Sequence, residues 1–327
     1  MRLIRHIEDI TKPLKGGVVA LGNFDGLHQG HQAVIGKAIE IARANNVPAA
    51  VMTFEPHPRA YFTPNQDPFR LSPFRIKYRL IEAMGVDYLY VQTFDAAFSS
   101  HTAEAFVDKY LIEGLEVSHV VIGYDYVFGN KRGGNSDFLR SRAEESGFGV
   151  TAVEEFRIDA TAQVSSTAIR EFLVEGACQD AGRLLGRCWE VAGRVQHGDQ
   201  RGRHLGFPTA NLPLGEYLHP RQGVYAVRAG IDDGPRTVWY EAVANFGHRP
   251  TFDKTDVLLE VHFFDFDQNL YQRQVRVALV EFIRPERKFD GIEALKAQLQ
   301  KDCAQAREIH AAHGYPANPQ PLVAVRG

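Results

Sequence analysis

Ten residues, Gly22-Asn23-Phe24-Asp25-Gly26-Leu27-His28-Gln29-Gly30-His31, hold two imidazoles, one carboxylate and three glycines. Glycines let a backbone approach a phosphate closely, and a helix that starts here offers free N–H groups and the positive end of its dipole. His28 and His31 are three apart, so on a first helical turn they share a face. Two imidazoles so placed can donate hydrogen bonds to a phosphoryl group as charge builds on it. An HxxH pair also occurs on ordinary surfaces, and a zinc reading lacks a third and fourth ligand at suitable spacing. A second group, Ser165, Ser166 and Thr167 with Arg170, puts three hydroxyls at a helix start and a guanidinium one turn later. Such hydroxyls commonly cap a helix. With a bidentate arginine they also make a phosphate cradle.

The second half holds a different set. Gly202-Arg203-His204-Leu205-Gly206-Phe207-Pro208-Thr209-Ala210-Asn211-Leu212 is glycine-rich but lacks the lysine of a Walker loop. Thr209 and Asn211 are two apart, so in extended backbone their oxygens face one side. Those oxygens are hard ligands suited to Mg²⁺ bridging phosphates. Glu260 is acidic among apolar neighbours and alternates with Leu259 and Val261. It is either an outward-facing strand residue or a general base beside a substrate hydroxyl.

These residues need elements to hold them. Residues 17–24 and 48–54 read as strands, with a helix from about His28 to Asn45–Asn46 between them. A helix at 75–84 stops at Gly85, followed by a strand at 87–94. A helix at 102–113 stops at Gly114, followed by a strand at 118–123. Asn135 or Ser136 caps a helix to Gly147, before a strand at 149–156; a short helix then ends at Gly176. This alternation predicts a parallel sheet with helices on both faces. From Trp189 onward the segments are β-type, separated by Gly, Pro, Asp and His, and predict a sandwich or closed barrel. One amphipathic helix, about 291–313, follows them. The expected domains are 1–185 and 186–327.

GNFDGLHQGH with SSTAIR resembles the HxGH nucleotidyltransferase superfamily. TFEPHP at 53–58, Phe94-Asp95 with Phe98-Ser99, and GYDYVFG at 123–129 with Arg132 and Gly134 resemble its bacterial FAD synthetase branch. GRHLGFPTANL resembles the riboflavin kinase signature, extended by Gly223–Val227, Val243–Thr251, LEVHFFDF and FIRPERKF. Together they identify the chain as similar to the bacterial bifunctional riboflavin kinase/FAD synthetase family. The resemblance implies a Rossmann-like N-terminal domain and a six-stranded antiparallel β-barrel with a terminal helix. It implies ATP contacts from Gly22, Phe24, Asp25 and Gly30, with His28 and His31 at the phosphates. Ser165, Ser166, Thr167 and Arg170 would hold the pyrophosphate end. Pro56, His57, Pro58, Asp125 and Phe128 would line a flavin pocket. In the barrel, Gly202, Gly206, Thr209 and Asn211 would bind Mg·ATP, and Glu260 would activate the ribityl 5′-hydroxyl. Two departures concern turn geometry: Gln272 stands where the family often has Gly, and VANFGHRPT has Phe246 and His248 where other residues are usual.

Composition fits this reading. The 327 residues are 44% hydrophobic and 24% charged, with a formal net charge of −3, so no global electrostatic case exists for nucleic acid or anionic membranes. Three widely spaced cysteines, Cys178, Cys188 and Cys303, make no disulfide framework and no CxxC metal motif. MRLIRHIEDI is too polar for a signal peptide, and a cytoplasmic protein is expected. The expected partners are ATP, Mg²⁺ with ATP, riboflavin, FMN and FAD. The rival readings are an enzyme with one activity retained, a non-catalytic flavin-sensing or RNA-regulating module, and an adenylyltransferase for another acceptor.

Overall fold

The computed structural model describes residues 1–158, 163–197, 202, 205–250 and 255–313. The described chain forms two compact units. The first comprises Met1–Asp67 and Lys77–Val164, and the second Pro68–Ile76 with the described residues from 165 to 313.

The first unit is built on six strands: β1 (Arg2–Ile4), β2 (Val18–Leu21), β3 (Ala49–Glu55), β4 (Tyr88–Thr93), β5 (His119–Gly123) and β6 (Gly149–Val153). They lie in the order β1-β4-β3-β2-β5-β6, and every neighbouring pair is parallel. The apolar runs of β2 and β3 are buried along almost their whole length, as expected of a sheet covered on both faces. The first helix, α1, spans Gln29–Ala44 and buries Val34, Ile35, Ala38 and Ala42. It ends as expected at Asn45, with Asn46 at φ 54. Asn135 caps the helix Ser136–Ser146 through a hydrogen bond from Phe138 N, and Gly147 closes it at φ 80.

The second unit carries β7 (Glu190–Arg194), β8 (Ala210–Pro213), β9 (Gly223–Ile231), β10 (Tyr240–Pro250), β11 (Thr255–Phe263) and β12 (Gln274–Arg284). Their order is β7-β12-β9-β10-β11-β8, antiparallel throughout. A bridge between Gln196, just beyond β7, and Asn211 of β8 brings the two edges together, so the sheet curls into a nearly closed barrel. Alternation divides its residues. Tyr225, Val227, Ala242, Ala244, Phe246, Leu259 and Val261 are buried on one face. On the other, Val224, Ala226 and Val243 pack with Ala306 and Ile309 of the long helix Ile292–His313. Phe246 therefore occupies a core position. The buried Trp189 donates from Nε1 to Leu71 O at 2.9 Å, tying Pro68–Ile76 into this unit.

Some features differ from expectation. β1 and β8, with three and four residues, are too short for a periodicity signal. The helix Cys178–Leu185 precedes the barrel. The helix expected at 102–113 begins as α-helix at Ala103 and continues as π-helix over Val107–Gly114. That winding depends on which carbonyl each N–H selects, which side-chain spacing does not specify.

Candidate active sites

In a parallel sheet all strands end on one edge. The carboxyl ends of β2, β3 and β5 thus present Gly22–His31, Glu55–Pro58 and Gly123–Gly129 at the same edge of the first unit. β2 lies between β3 and β5, where the strand order reverses, and open α/β sheets bind ligands at such a point.

The loop after β2 is strained. Phe24, Gly26 and Leu27 have φ of 50, 83 and 42, and the first and last are non-glycine side chains held fully buried. A Cβ on Gly22 would sit 2.8 Å from the Phe24 ring, so that turn requires glycine. Thr53 Oγ1 donates to Asn23 O at 3.2 Å and ties the loop to β3. Asp25 is 2% exposed.

His28 is the N-cap of α1 rather than part of its first turn. Its Nδ1 accepts from His31 N at 3.2 Å. A neutral imidazole that accepts at Nδ1 carries its proton on Nε2. The two histidine rings stack with centroids 3.6 Å apart and planes 17° from parallel. Gly30 makes room for this, since a Cβ there would stand 3.3 Å from the His28 ring.

After β3, His57 caps the short helix Pro58–Phe62, its Nδ1 accepting from Arg59 N at 3.1 Å. His57 is buried, Pro58 half-buried and Pro56 exposed. Beside them lies an aromatic group that sequence reasoning missed. Phe62, 65% exposed, stands 5.2 Å from Tyr61 and 5.6 Å from Phe94. An exposed phenylalanine within a ring cluster offers a stacking surface; the signal in the sequence was Tyr61-Phe62, two residues beyond the PHP turn. In the loop after β5, Asp125 is exposed. Phe128 is buried in the core against Phe106, Tyr126 and Phe138, backed closely by Gly134.

Ser165, Ser166, Thr167 and Arg170 belong to the second unit. Ser165 caps the helix Ser166–Glu175, accepting from Ala168 N at 3.2 Å. Arg170 donates from Nε to Phe69 O at 2.9 Å, with its guanidinium 5.5 Å from the Phe69 ring.

The barrel site follows from register. Glu260 on β11 is paired with Asn211 on β8 and with Asn245 on β10. Asn245 pairs with Val224 on β9, and Val224 with Arg284 on β12. Directly opposed residues share a face, so Asn211, Glu260, Asn245, Val224 and Arg284 form one row across five strands. All five line a cavity of about 660 Å³. Its wall also includes Phe207, Phe289, and Leu295 and Cys303 of the long helix. Burial, with Asp302 nearby, pushes the Cys303 thiol up to about 11, so it remains protonated at neutral pH. Thr209 and Asn211 line this cavity and a second of about 490 Å³, bounded by Val261, Phe263, Asn269 and Tyr271. Gly202 lines the larger cavity and accepts from Leu205 N and Phe207 N at 3.1 and 2.8 Å. Gly206 sits at φ 87. Arg203 and His204 lie outside the described residues. His262, on the Glu260 face, donates from Nδ1 to Pro208 O at 2.9 Å and holds the approach to Thr209.

The N-terminal part of the chain matches the FAD synthetase family over residues 10–168, and the C-terminal part matches the riboflavin kinase family over residues 185–310. The bifunctional riboflavin kinase/FMN adenylyltransferase of Haemophilus influenzae is 41% identical over 307 residues, covering 94% of this chain and 98% of that protein. The Escherichia coli K12 protein of the same name is 39% identical over 311 residues, with 94% and 98% covered. This chain belongs to the bifunctional riboflavin kinase/FMN adenylyltransferase family. A solved structure from Streptococcus pneumoniae, described as a macrolide-efflux protein, is 34% identical with a TM-score of 0.82. It covers 93% of this chain and 98% of its own. Family membership rests on the matches above rather than on that description. Among the described residues no helix is long and apolar enough to cross a membrane. In family terms, the barrel is the kinase part, and the parallel sheet with its HxGH loop is the adenylyltransferase part.

Proposed function

We propose that the family's two activities, phosphorylation of riboflavin to FMN and adenylylation of FMN to FAD, use separate residue sets. The division falls between residues 1–185 and 186–327. The observation that carries the kinase half is the Asn211–Glu260–Asn245 row, with Thr209 and Asn211 shared by two cavities. The larger cavity takes the flavin and the smaller takes ATP, so the γ-phosphate meets the ribityl chain at the shared wall. Glu260 accepts the 5′-hydroxyl proton as that oxygen attacks the γ-phosphorus, and ADP leaves. The hydroxyl of Thr209 and the amide oxygen of the buried Asn211 are neutral hard donors, and they fit Mg²⁺ carried on the phosphates. When bound, that ion neutralises phosphate charge. The chain's own part is to hold ATP in line with the flavin hydroxyl.

In the adenylyltransferase half, the FMN phosphate attacks the α-phosphorus of a second ATP, the bond to the β-phosphate breaks, and pyrophosphate leaves to give FAD. It needs no general base, because its second pKa is near ~6. The His28 and His31 rings, beside the N-terminus of α1, stabilise charge on the transferring phosphoryl group. Gly22, Phe24, Asp25 and Gly30 shape the ATP loop. Pro56, His57, Pro58 and Asp125 border the flavin, and Phe62 adds a stacking surface. Phe128 contributes through the loop its buried ring anchors. The pyrophosphate role of Ser165, Ser166, Thr167 and Arg170 rests on their motif. The chain works in the cytoplasm, where ATP and riboflavin are available. Incubation with riboflavin, ATP and Mg²⁺, with flavins separated over time, is expected to show FMN rising first and FAD following. Absence of either product refutes the corresponding half.

A further inference from the structure

The segment Glu286–Phe289, which follows Pro285, forms one wall of the larger barrel cavity. At its start, Arg284 donates from Nε and Nη2 to the Asp302 carboxylate at 2.8 and 2.6 Å, and from Nη1 to Pro285 O at 2.9 Å. Asp302 lies on the long helix, is 2% exposed, and also accepts from Gln298 Nε2 at 2.7 Å. One guanidinium therefore joins the helix, the strand β12 and Pro285, the residue that leads into the wall. Further along, Asn245 Nδ2 donates to Glu286 Oε1 at 3.0 Å. Gly247 leaves room for that carboxylate, which a Cβ at 247 would overlap. At the far end, Phe289 lies 5.8 Å from the Arg284 guanidinium and 5.3 Å from that of Arg287.

We infer that Asp302 is a positioning residue for riboflavin, holding the wall Glu286–Phe289 in place through Arg284 and Pro285. The inference rests on the proposal that this cavity takes the flavin. The other carboxylates lining the cavity are Glu260 and Glu286. A half-buried guanidinium that loses its partner seeks another anion, because an uncompensated charge there is costly. Asp302 thus keeps Arg284 from re-pairing with Glu286 or Glu260 and drawing the wall across the flavin's place. Asp302 is held by Arg284 and Gln298, so its effect is on substrate placement.

The test is Asp302→Asn in the full chain, with KM for riboflavin, KM for ATP, kcat of phosphorylation, and adenylylation of added FMN all measured. KM for riboflavin is expected to rise about tenfold, with the other three within about twofold, since a displaced wall costs orientation. A general structural defect would lower kcat and adenylylation together, and that result overturns the inference, as does an unchanged KM for riboflavin. A rise in KM for ATP with riboflavin unaffected overturns the cavity assignment itself. Asn245→Ser loosens the wall at its second tie without touching the buried pair. It is also expected to raise KM for riboflavin, and an unchanged KM there counts against the wall even if Asp302→Asn fails to fold.

Discussion

Single substitutions test whether the two chemistries are separate. Glu260→Gln keeps the shape of the side chain and removes its basicity. It is expected to slow riboflavin phosphorylation by about 10²–10⁴-fold, the usual range for a general base, while adenylylation of added FMN continues. A parental phosphorylation rate would show that Glu260 is not the base. His28→Ala removes a ring that caps α1 and stacks on His31. It is expected to slow FAD formation by about 10²-fold or more, as for loss of a charge-stabilising donor, and to let FMN accumulate. Gln272 illustrates a residue flagged by sequence and explained by structure. Its φ is 62, and its N–H donates to Val195 O at 3.1 Å, so the turn that glycine favours is formed here by glutamine. Gln272→Gly is expected to be tolerated, whereas Gln272→Val should destabilise the barrel by roughly 2 kcal/mol because β-branched residues resist this conformation. Equal stability of the two variants by denaturant titration would contradict that explanation.

Elements were legible where the chain marks its own ends. Asn45–Asn46, Asn135, Gly147 and Gly176 each stand where a helix begins or stops. Gly147 has φ 80 and open space where a Cβ would go. Gly147→Ala should therefore cost only backbone strain, about 1 kcal/mol, measured on the first unit by hydrogen exchange of the Ser136–Ser146 helix. A loss well above that would mean packing, not conformation, demands the glycine. The strand β8 was invisible because Pro208 and Pro213 bracket four residues, and its identity comes from pairing with β11. The same gap hid part of the site: Thr209 and Asn211 were paired by spacing, but nothing local joined them to Glu260. That Asn211 and Asn245 flank Glu260 on either side is a consequence of register, and no local sequence pattern encodes it. The Arg284–Asp302 pair was equally hidden, being a contact between a strand and a helix. Phe128, expected at the flavin pocket from its motif, has its ring packed in the core of the first unit.

Across the whole molecule, the two-part organisation was readable from the change in hydrophobic period near residue 186, while the packing of Ser165–Leu185 within the second compact unit was not. Both tryptophans, Trp189 and Trp239, lie in that second unit, so tryptophan fluorescence reports its unfolding alone. His310 is buried there, with Nε2 donating to Ala242 O at 3.2 Å. Burial holds its pKa below the usual histidine value, against the opposing influence of the Ala242 carbonyl and Glu241, with Arg228 adding to the depression. The unfolded chain takes up this proton near pH ~6.5, and the folded chain only at lower pH. Stability is thus flat above that value and falls as pH drops through the window below it. His310→Gln should flatten the fall, and an identical pH profile would show that His310 does not cause it. The central claim is that two independent sites act in sequence, and mixing Glu260→Gln with His28→Ala tests it most directly. Given riboflavin, ATP and Mg²⁺, each variant alone is expected to make almost no FAD, while the mixture makes it through FMN released by the second and used by the first. FAD formation at the parental rate by either variant alone, or none from the mixture, would contradict two separate sites.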